Sequence, residues 1–517
     1  MLFGPTSWQR PLGFRPYSMS GVWAATCVCS APRRGCGFIG GAKRVRLLTY
    51  IVPVLLVGFC IWRGRRDPVY VLALPLLLAC GRGIFLDLYS LHLPLGGGVT
   101  VNQEDILLLA QLGVFVYVLG IRPAAARQRM TIQLYLCLGI LILLTGKAFA
   151  AYFSSWGDLT SPGNLVSVAK AAAVARLYFY VPISIMLWHL ILKRFSAAEI
   201  LHLVRIITWV TAACSVVYLA NLAGLRTYAR IWPAYYTTQA PGGGIVVRDY
   251  LTMPFWLYLA LGYSLARLVY GGQRLTYLLV GIVITGCAVF SFTRSYAICA
   301  LGLWALAGFW RAVIVPSQPR TIRLRARVSP ARAWILMSAF GTLSGVILVK
   351  SNLLASWWAY LATRLGTLGR GPAGDPNTEL RVNLYLQAAR TVAHSGIFLG
   401  TLMIPGGAAA TAVYYLDSYW ASVLVDLGWI GLFVMAALAV AAIGKAVVKA
   451  LRAEGESAVL GLVILSGLLA AVTLSFTGAW LAFATVAGTF LVTIPDVRLL
   501  GAPMRRQAIS QASPRRR

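Results

Sequence analysis

Residues 418–443 read SYWASVLVDLGWIGLFVMAALAVAAI, an apolar run that follows a long polar interval at residues 351–416. The run is longer than the ~20 residues that a helix needs to cross about 30 Å of hydrocarbon. Similar runs recur along the chain, which is 59% hydrophobic and 12% charged over 517 residues. The sequence therefore predicts an all-α, polytopic integral membrane protein with 12–13 transmembrane helices and one long extracytoplasmic loop.

The apolar runs give thirteen candidate spans, whose ends are uncertain by several residues. The first run, at 48–62, is short. Thirteen spans with a cytoplasmic C-terminus place the N-terminus outside, whereas Lys43, Arg44 and Arg46 favour a cytoplasmic N-terminus. We therefore predict 12–13 spans. The spans are predicted at about 48–62, 69–86, 104–121, 132–153, 171–192, 206–224, 250–269, 275–292, 296–314, 333–349, 418–443, 457–477 and 479–495.

Composition divides the chain into five segments. A basic extension rich in Gly, Pro, Arg and Ser precedes the first span and is expected to be poorly ordered, and the chain ends in a basic tail. The segments are the extension 1–46, N-terminal transmembrane helices 47–247, a core 248–443 that includes the extracytoplasmic loop 350–417, C-terminal transmembrane helices 444–497, and a cytoplasmic tail 498–517.

Two other classes of protein are excluded. A transmembrane β-barrel would alternate apolar and polar residues, whereas these apolar runs are continuous. The net charge of +32 could suggest nucleic acid, but the arginines are dispersed between apolar segments without the aromatic interleaving of a single-strand groove. We predict no nucleic-acid partner, and we interpret the arginines as topology signals and as contacts for anionic membrane lipids.

The residues that bind metals are too scattered to predict a metal site. None of the nine cysteines lies in the polar interval, and the three cysteines before the first span have no histidine or acid beside them. The four histidines make no cluster. We therefore predict neither a metal nor a cofactor.

The orientation follows from the loops, because short cytoplasmic loops are rich in Lys and Arg. Under that rule the segments 122–129, 193–205, 320–332 and 445–452 and the C-terminal tail are cytoplasmic. The segments predicted on the extracytoplasmic side are then 87–103, 154–170 and 225–249, the turn at Arg294, and the polar interval.

Several arginines gather on that outer side. Arg294 lies between two apolar runs with almost no loop, and Arg248 closes a loop rich in aromatics and glycines, which we interpret as an interfacial belt and a turn. The polar interval adds Arg364, Arg370, Arg381 and Arg390. Guanidinium groups bind phosphate oxygens with paired hydrogen bonds, so the set suits a diphosphate at the interface. The alternative for each arginine alone is that it extends to the lipid headgroups.

Two residues of this side are candidate proton acceptors. Asp417 begins the apolar run, where a carboxylate can cap the first helical turn or act as a general base toward a sugar hydroxyl. His394 is the weaker candidate, because a lone histidine beside a glycine turn is more often structural.

Three stretches in this order resemble the O-antigen ligase and polymerase family. Phe292-Thr293-Arg294-Ser295-Tyr296 is similar to the turn that opens the family's core domain. ELRVNLYLQAARTVAHSGIFLG, at 379–400, resembles its segment of an arginine, an aromatic four residues on (Tyr385), an amphipathic helix and a histidine-glycine corner. LDSYWASVLVDLGWIGLF, at 416–433, resembles the helix with which the family's chain returns into the membrane.

The resemblance covers about 248–440 and implies an activity. Members of the family are inverting glycosyltransferases of the bacterial inner membrane that act at its periplasmic face on glycans carried by undecaprenyl diphosphate, without metal. By resemblance, Arg294 and Arg381 hold the diphosphate leaving group and Asp417 is catalytic. The residues Arg248, Arg364, Arg370, His394 and Tyr385 are then predicted to bind substrate, and a chain-length regulator protein is a candidate partner.

One departure favours polymerase over ligase. Ligases of the family carry a histidine in a His-Asn pair where this chain has Asp417-Ser418. The sequence thus predicts a polymerase of O-antigen or exopolysaccharide repeats. An O-antigen ligase acting on the lipid A core remains an alternative. The alternative from another class is a lipid-linked oligosaccharide flippase. A flippase is expected to have ionisable residues in the middle of its spans and internal repeats.

Overall fold

The structure is a computed structural model that describes the greater part of the predicted spans. All of the residues that it describes belong to one unit of the chain, residues 48–517. They are 54–81, 93–96, 99–101, 103–122, 132–154, 178–222, 235–239, 245–249, 254–271, 274–291, 294–315, 419–452, 455–475 and 485–496, with the single positions Leu386, Arg390, Phe398 and Gly400.

In these ranges the backbone forms helices and two small antiparallel hairpins. The helices are α1 Val54–Gly64, α2 Val69–Gly81, α3 Gln103–Ile121, α4 Ile132–Ser154, α5 Tyr178–Leu192, α6 Ala197–Leu222, α7 Pro254–Tyr270, α8 Arg274–Phe290, α9 Arg294–Phe309, α10 Tyr419–Arg452, α11 Glu456–Ser475 and α12 Thr485–Thr493. A π-helical stretch, Trp310–Ile314, continues α9, and a 3-10 turn, Ile494–Asp496, follows α12. The hairpins are β1 Leu93–Gly96 with β2 Val99–Val101, and β3 Tyr235–Gln239 with β4 Ile245–Asp249.

Each helix in the described ranges overlaps one of the predicted spans. Five contain stretches long and apolar enough to cross a membrane: Glu104–Ile121, Ala197–Val216, Ser295–Ile314, Val423–Leu451 and Glu456–Ser475. Five shorter apolar helices accompany them. These helices suggest a membrane protein. The predicted span 333–349 and the terminal segments 1–46 and 498–517 lie outside the described residues.

Three details differ from the sequence prediction. The two hairpins add strands to a chain predicted to be all-α. Helix α10 continues to Arg452 instead of ending near residue 443, and α6 begins at Ala197 instead of near residue 206. Lysine and arginine side chains can extend to solvent from a helix end, so basic residues at 445–452 and 193–205 did not require a loop.

Helix α11 lies at the centre of the helices, and most of its residues are buried. Its Gly461 packs against α10 so closely that a Cβ would lie 2.7 Å from the backbone of Ala450. Ala442, Ala446 and Ala450 are fully buried on α10 at intervals of four residues. Small side chains at this spacing allow two helix backbones to approach each other, so the second half of α10 is fixed against α11.

The first half of α10 packs in a different core. Val423 and Leu427 of α10 are fully buried with Ile140 of α4 and Tyr178 and Ile185 of α5. The residues of α10 beyond position 440 belong to the larger core, which contains α11. Helix α10 therefore connects the two cores, and a change of its direction between them would move one core relative to the other.

An ion pair closes the junction between α5 and α6. Arg122, directly after α3, donates to the Glu199 carboxylate with Nη2–Oε1 and Nη1–Oε2 distances of 2.5 and 3.3 Å. It also donates to the Arg194 carbonyl at 2.7 Å. Ser196 and Glu199 form a capping box at the start of α6: the Glu199 amide donates to Ser196 Oγ at 3.3 Å, and the Ser196 amide donates to Glu199 Oε2 at 2.8 Å. One carboxylate thus holds an arginine and caps a helix.

A second ion pair lies between α7 and α11. Arg267 donates to both Glu456 oxygens, at 2.9 and 2.8 Å, and its Nε donates to the Tyr263 hydroxyl at 3.1 Å. A Cβ at Gly286, near the end of α8, would lie 3.7 Å from Leu219, near the end of α6, so these two helices end on the same side. Their starts therefore also share a side. Glu199 lies at the start of α6 and Arg267 lies just before α8, so both ion pairs are at that end. We call it the arginine end. The opposite end, where the hairpins lead into α3 and α7, is the hairpin end.

Glu456→Gln is expected to lower the free energy of unfolding by roughly 1–3 kcal/mol, because it leaves the Arg267 guanidinium, only 14% exposed, without its charged partner. Thermal unfolding of the purified protein measures the loss. Arg205→Gln, at an exposed position of α6, is the control and should change little. An unchanged midpoint for Glu456→Gln would show that the pair contributes nothing to stability.

Polar side chains also meet midway along the helices. Gln111 of α3 donates to the Ser184 carbonyl at 2.9 Å and accepts from the Ser184 hydroxyl at 2.7 Å. The same hydroxyl lies 2.7 Å from the Thr489 hydroxyl of α12. All three residues are buried and uncharged, and their mutual hydrogen bonds join three helices in the way expected inside a membrane.

Candidate functional site

Arg294 is the first residue of helix α9. Helix α8 ends at Phe290 and α9 begins at Arg294, so the two apolar helices are joined by a connection of three residues. The hydroxyl of Tyr258, early in α7, donates to the carbonyl of Tyr296 at 2.8 Å, which places the starts of α7 and α9 side by side. The first helical turn carries unpaired N–H groups and a partial positive charge, so an arginine there adds to a region that attracts anions.

Arg248 lies on a strand and not in an irregular loop. It pairs with Tyr236 across the β3–β4 hairpin, and Asp249 pairs with Tyr235. In the sequence, Gly242, Gly243 and Gly244 fall between the two strands. The strands were missed, although the Tyr- and Thr-rich stretch and the valines after the glycines are a hairpin signal.

The other predicted site residues lie outside the described residues. They are Asp417, Arg381, Arg364, Arg370, His394 and Tyr385. Their convergence with Arg294 and Arg248 stays a prediction. Of the polar interval, the structure describes Leu386 and Arg390, which are exposed, and Phe398 and Gly400, at the end of the stretch that resembles the glycosyltransferase family.

Phe398 and Gly400 of the polar interval contact α10 at a break in the helix. Gly428 has φ 68° and ψ −166°, which no helical residue adopts. The amide of Ile430, two residues further on, donates to the carbonyl of Phe398 at 3.3 Å. We call Phe398–Gly400 the docked corner. The Ile430 amide thus finds its hydrogen-bond acceptor in the polar interval and not within α10.

Glycine is required on both sides of this contact. A Cβ at Gly428 would lie 2.4 Å from the Phe398 carbonyl oxygen, and a Cβ at Gly400 would lie 2.4 Å from the Gly428 nitrogen. Gly400 also has a φ of 68°. Both backbones therefore approach more closely than any side chain allows, in conformations that L residues avoid.

Asp426 lies next to the docked corner and was not predicted as a site residue. The Tyr178 hydroxyl of α5 donates to its Oδ2 at 2.5 Å. The carboxylate is half-buried, whereas Tyr178 is buried. The signal in the sequence was a single acidic residue within the apolar run 418–443.

A similar pair lies on the other side of α5. The Tyr180 hydroxyl donates to Asp105, in the first turn of α3. Because residues two apart on a helix point in nearly opposite directions, α5 uses one tyrosine toward α10 and the other toward α3. Carboxylates are scarce in this chain, with 14 Asp and Glu residues against 46 Lys and Arg, yet these two are held at the hairpin end.

Phe398 of the docked corner and several apolar residues of α10 after the break are exposed. Phe398, Trp429 and Phe433 are 69%, 52% and 73% exposed, and Ile430 beside them is also exposed. The residues of α10 that follow the break thus expose apolar side chains.

The described histidines stand apart from the docked corner. His202 lies 3.5 Å from Asp67 and packs edge-on against Tyr70, and His189 is buried in α5. In the part of the chain that the structure describes, no group of three or more His, Cys, Asp or Glu residues could hold a metal ion.

Comparisons of the chain with protein-family models, with curated proteins and with solved structures find no match.

Proposed function

We propose that this chain is a multi-pass protein of the bacterial inner (plasma) membrane that polymerises undecaprenyl-diphosphate-linked oligosaccharide repeats into O-antigen or exopolysaccharide. The hairpin end faces the periplasm and the arginine end the cytoplasm. The transfer is inverting and needs no metal. The protein is thus an enzyme, a glycosyltransferase with a lipid-diphosphate donor.

One observation carries the proposal: the polar interval and α10 interlock at the docked corner. The two stretches that resemble the glycosyltransferase family, residues 379–400 and 416–433, meet there through Phe398, Gly400 and Gly428. Their contact depends on two glycines and supports the interpretation of both stretches as parts of one site.

The orientation rests on the distribution of basic residues. The arginine end carries basic residues at the ends of three helices. They are Arg63, Arg65 and Arg66 at the end of α1, Arg122 after α3, and Lys193 and Arg194 after α5. An excess of Lys and Arg marks the cytoplasmic side of a membrane protein. Arg248 and Arg294 are two described basic residues at the hairpin end, and their position calls for a function.

The mechanism divides the work between arginines and a carboxylate. Arg294 and Arg381 stabilise the negative charge that grows on the diphosphate as the glycosidic bond breaks. A carboxylate of the α10 region accepts the proton of the attacking acceptor hydroxyl, and the attack from the opposite face inverts the anomeric centre. The sequence assigns this role to Asp417, with His394 as the weaker candidate. The polar interval orients both sugars.

The flippase alternative finds less support where α3, α5 and α12 meet. The polar side chains that meet halfway along them, Gln111, Ser184 and Thr489, are uncharged and bonded to one another. A transporter is expected to place ionisable groups at that level.

The glycans that accumulate in a strain lacking the gene test the function. A polymerase predicts single repeats that have crossed the membrane but remain unpolymerised on undecaprenyl diphosphate. Polymer that is not attached to lipid A would instead indicate the ligase, and repeats trapped on the cytoplasmic side would indicate the flippase.

A further inference from the structure

One surface at the arginine end combines arginines with aromatic rings. The guanidinium carbon of Arg63, at the end of α1, lies 5.6 Å from the ring centroid of Tyr70, early in α2. The Tyr70 ring also packs edge-on against the ring of His202 on α6, at a centroid distance of 6.1 Å. Tyr70 therefore links three helices, and its cation–π contact holds the Arg63 guanidinium in place.

Three exposed arginines lie close to this contact. Arg65 and Arg66 follow α1 directly, and Arg205 lies about one helical turn after His202 on α6. Residues three apart are neighbours on the surface of a helix, so Arg205 lies on the same face of α6 as His202. We call this set of residues the basic surface. It consists of Arg63, Arg65, Arg66, Tyr70, His202 and Arg205.

The carboxylates beside the basic surface are bound to other groups. Asp67 Oδ1 accepts from the Val69 amide at 3.0 Å and so caps the start of α2, and Asp67 Oδ2 lies 3.5 Å from Nε2 of His202. Glu199 accepts two hydrogen bonds from Arg122. Among the described residues, none of the four arginines of the basic surface forms an ion pair with a carboxylate. The basic surface therefore keeps an excess of positive charge.

Exposed aromatic side chains mark the level of the basic surface relative to a membrane. On α1, Trp62 precedes Arg63 and is exposed, as is Phe59 one turn earlier. On α6, the exposed Trp209 lies one turn after Arg205, further from the arginine end. Tryptophan concentrates at the boundary between hydrocarbon and headgroups, and arginine side chains extend from that boundary toward the headgroups. The arginines of the basic surface are thus at the level of the lipid phosphates.

We propose that the basic surface binds the phosphate of an anionic phospholipid in the leaflet at the arginine end. Guanidinium groups form paired hydrogen bonds to phosphate oxygens, and the acyl chains of the same lipid extend along the exposed aromatic rings. A headgroup with a net negative charge matches the excess of arginines, whereas a zwitterionic headgroup brings its own cation. The inference rests on helices that cross a membrane and not on the proposed glycosyl transfer.

The contact with Tyr70 distinguishes this site from a general attraction between arginines and headgroups. Because the ring already holds the Arg63 guanidinium, less side-chain freedom is lost when the phosphate binds. Arg311 provides the comparison. It is exposed at the arginine end on the stretch that continues α9, a helix that packs against α7 and α8. Among the described aromatic rings, none lies under the Arg311 guanidinium.

Lipid titrations of the purified full-length protein in a neutral detergent test the site. Native mass spectrometry measures the binding of phosphatidylglycerol, which is anionic, and of phosphatidylcholine, which is zwitterionic. Phosphatidylglycerol is expected to bind at least about ten-fold more tightly, and Arg63→Gln should weaken its binding about five-fold, the usual effect of one arginine near an anionic headgroup. The control Arg311→Gln removes the same charge elsewhere and should change this affinity less than about two-fold, because salt screens distant charges.

Two variants of Tyr70 test whether the ring positions Arg63. Tyr70→Phe keeps the ring and should bind phosphatidylglycerol as the unmodified protein does. Tyr70→Leu removes the ring and should weaken binding, while all the arginines remain. Thermal unfolding without added lipid shows that each variant is folded, and Arg63→Gln tests the site even where Tyr70→Leu does not fold.

Three results would overturn the proposal. Equal affinities for phosphatidylglycerol and phosphatidylcholine would show that the basic surface does not select an anionic headgroup. Equal losses for Arg63→Gln and Arg311→Gln would indicate a general effect of charge and no site. Displacement of phosphatidylglycerol by inorganic phosphate would show that the arginines bind a soluble anion and not a lipid.

Discussion

Arg294→Ala is expected to abolish polymer in cells and to lower kcat of the purified protein by at least about 100-fold, with the protein level unchanged. Arg294 is the first residue of α9, and a helix N-terminus favours negative charge. Removing one preorganised donor from a developing anion typically costs 100- to 1,000-fold in rate. Under the proposed function, the diphosphate leaving group would carry that charge, so we expect the loss in the chemical step.

Two companion variants sharpen this test. Arg294→Lys keeps the charge but loses the planar fork, and we expect an activity between those of the alanine variant and the unmodified protein. Arg381→Ala should resemble Arg294→Ala. The control is Arg311→Ala, which removes an exposed arginine from the π-helical stretch at the other end of α9. Full-length polymer from Arg294→Ala, or equal losses for Arg311→Ala, would contradict a role in holding the diphosphate.

Gly428→Ala should detach the docked corner from α10 and remove activity. Alanine at φ 68° and ψ −166° costs about 1–3 kcal/mol in backbone strain, and its Cβ would lie 2.4 Å from the Phe398 carbonyl oxygen. The helix relieves the strain by closing the break, and the Ile430 amide then loses its bond to Phe398. Polymer length in cells and thermal unfolding of the purified protein report the two consequences.

The same contact predicts the behaviour of Gly400→Ala and of the double variant. Gly400→Ala should produce the same defect, because its Cβ would lie 2.4 Å from the Gly428 nitrogen. The double variant should be little worse than either single variant, since both break one contact. Gly444→Ala is the control on α10: it has no atom within 4 Å of its Cβ position and should gain up to about 1 kcal/mol. Normal polymer from Gly428→Ala would show that the docked corner is dispensable.

The helices were predictable from the sequence because a continuous apolar run of this length rarely adopts any structure other than a helix. Helix ends were less predictable. Lys445 and Lys449 suggested a loop but lie on α10, since their long side chains reach solvent from the helix. The start of α6 was readable in principle from Ser196 and Glu199, which have capping-box spacing.

The candidate site was predictable in part. The turn before Arg294 followed from two apolar runs without room for a loop. The docked corner did not follow from the sequence, because the contact between Gly400 and Gly428 joins segments whose pairing no local pattern specifies. Asp426 was passed over because an acidic residue in an apolar run gives no information about its partner, which is Tyr178, distant in sequence.

Chain growth by the purified protein tests the central claim most directly. The protein is reconstituted into liposomes with a synthetic undecaprenyl-diphosphate-linked repeat as the sole glycan and with a chelator present, and the products are resolved by mass. The account predicts a ladder of lipid-linked oligomers that differ by one repeat, formed with release of undecaprenyl diphosphate and absent with Arg294→Ala. Unchanged single repeats, after incubation with folded protein, would contradict it.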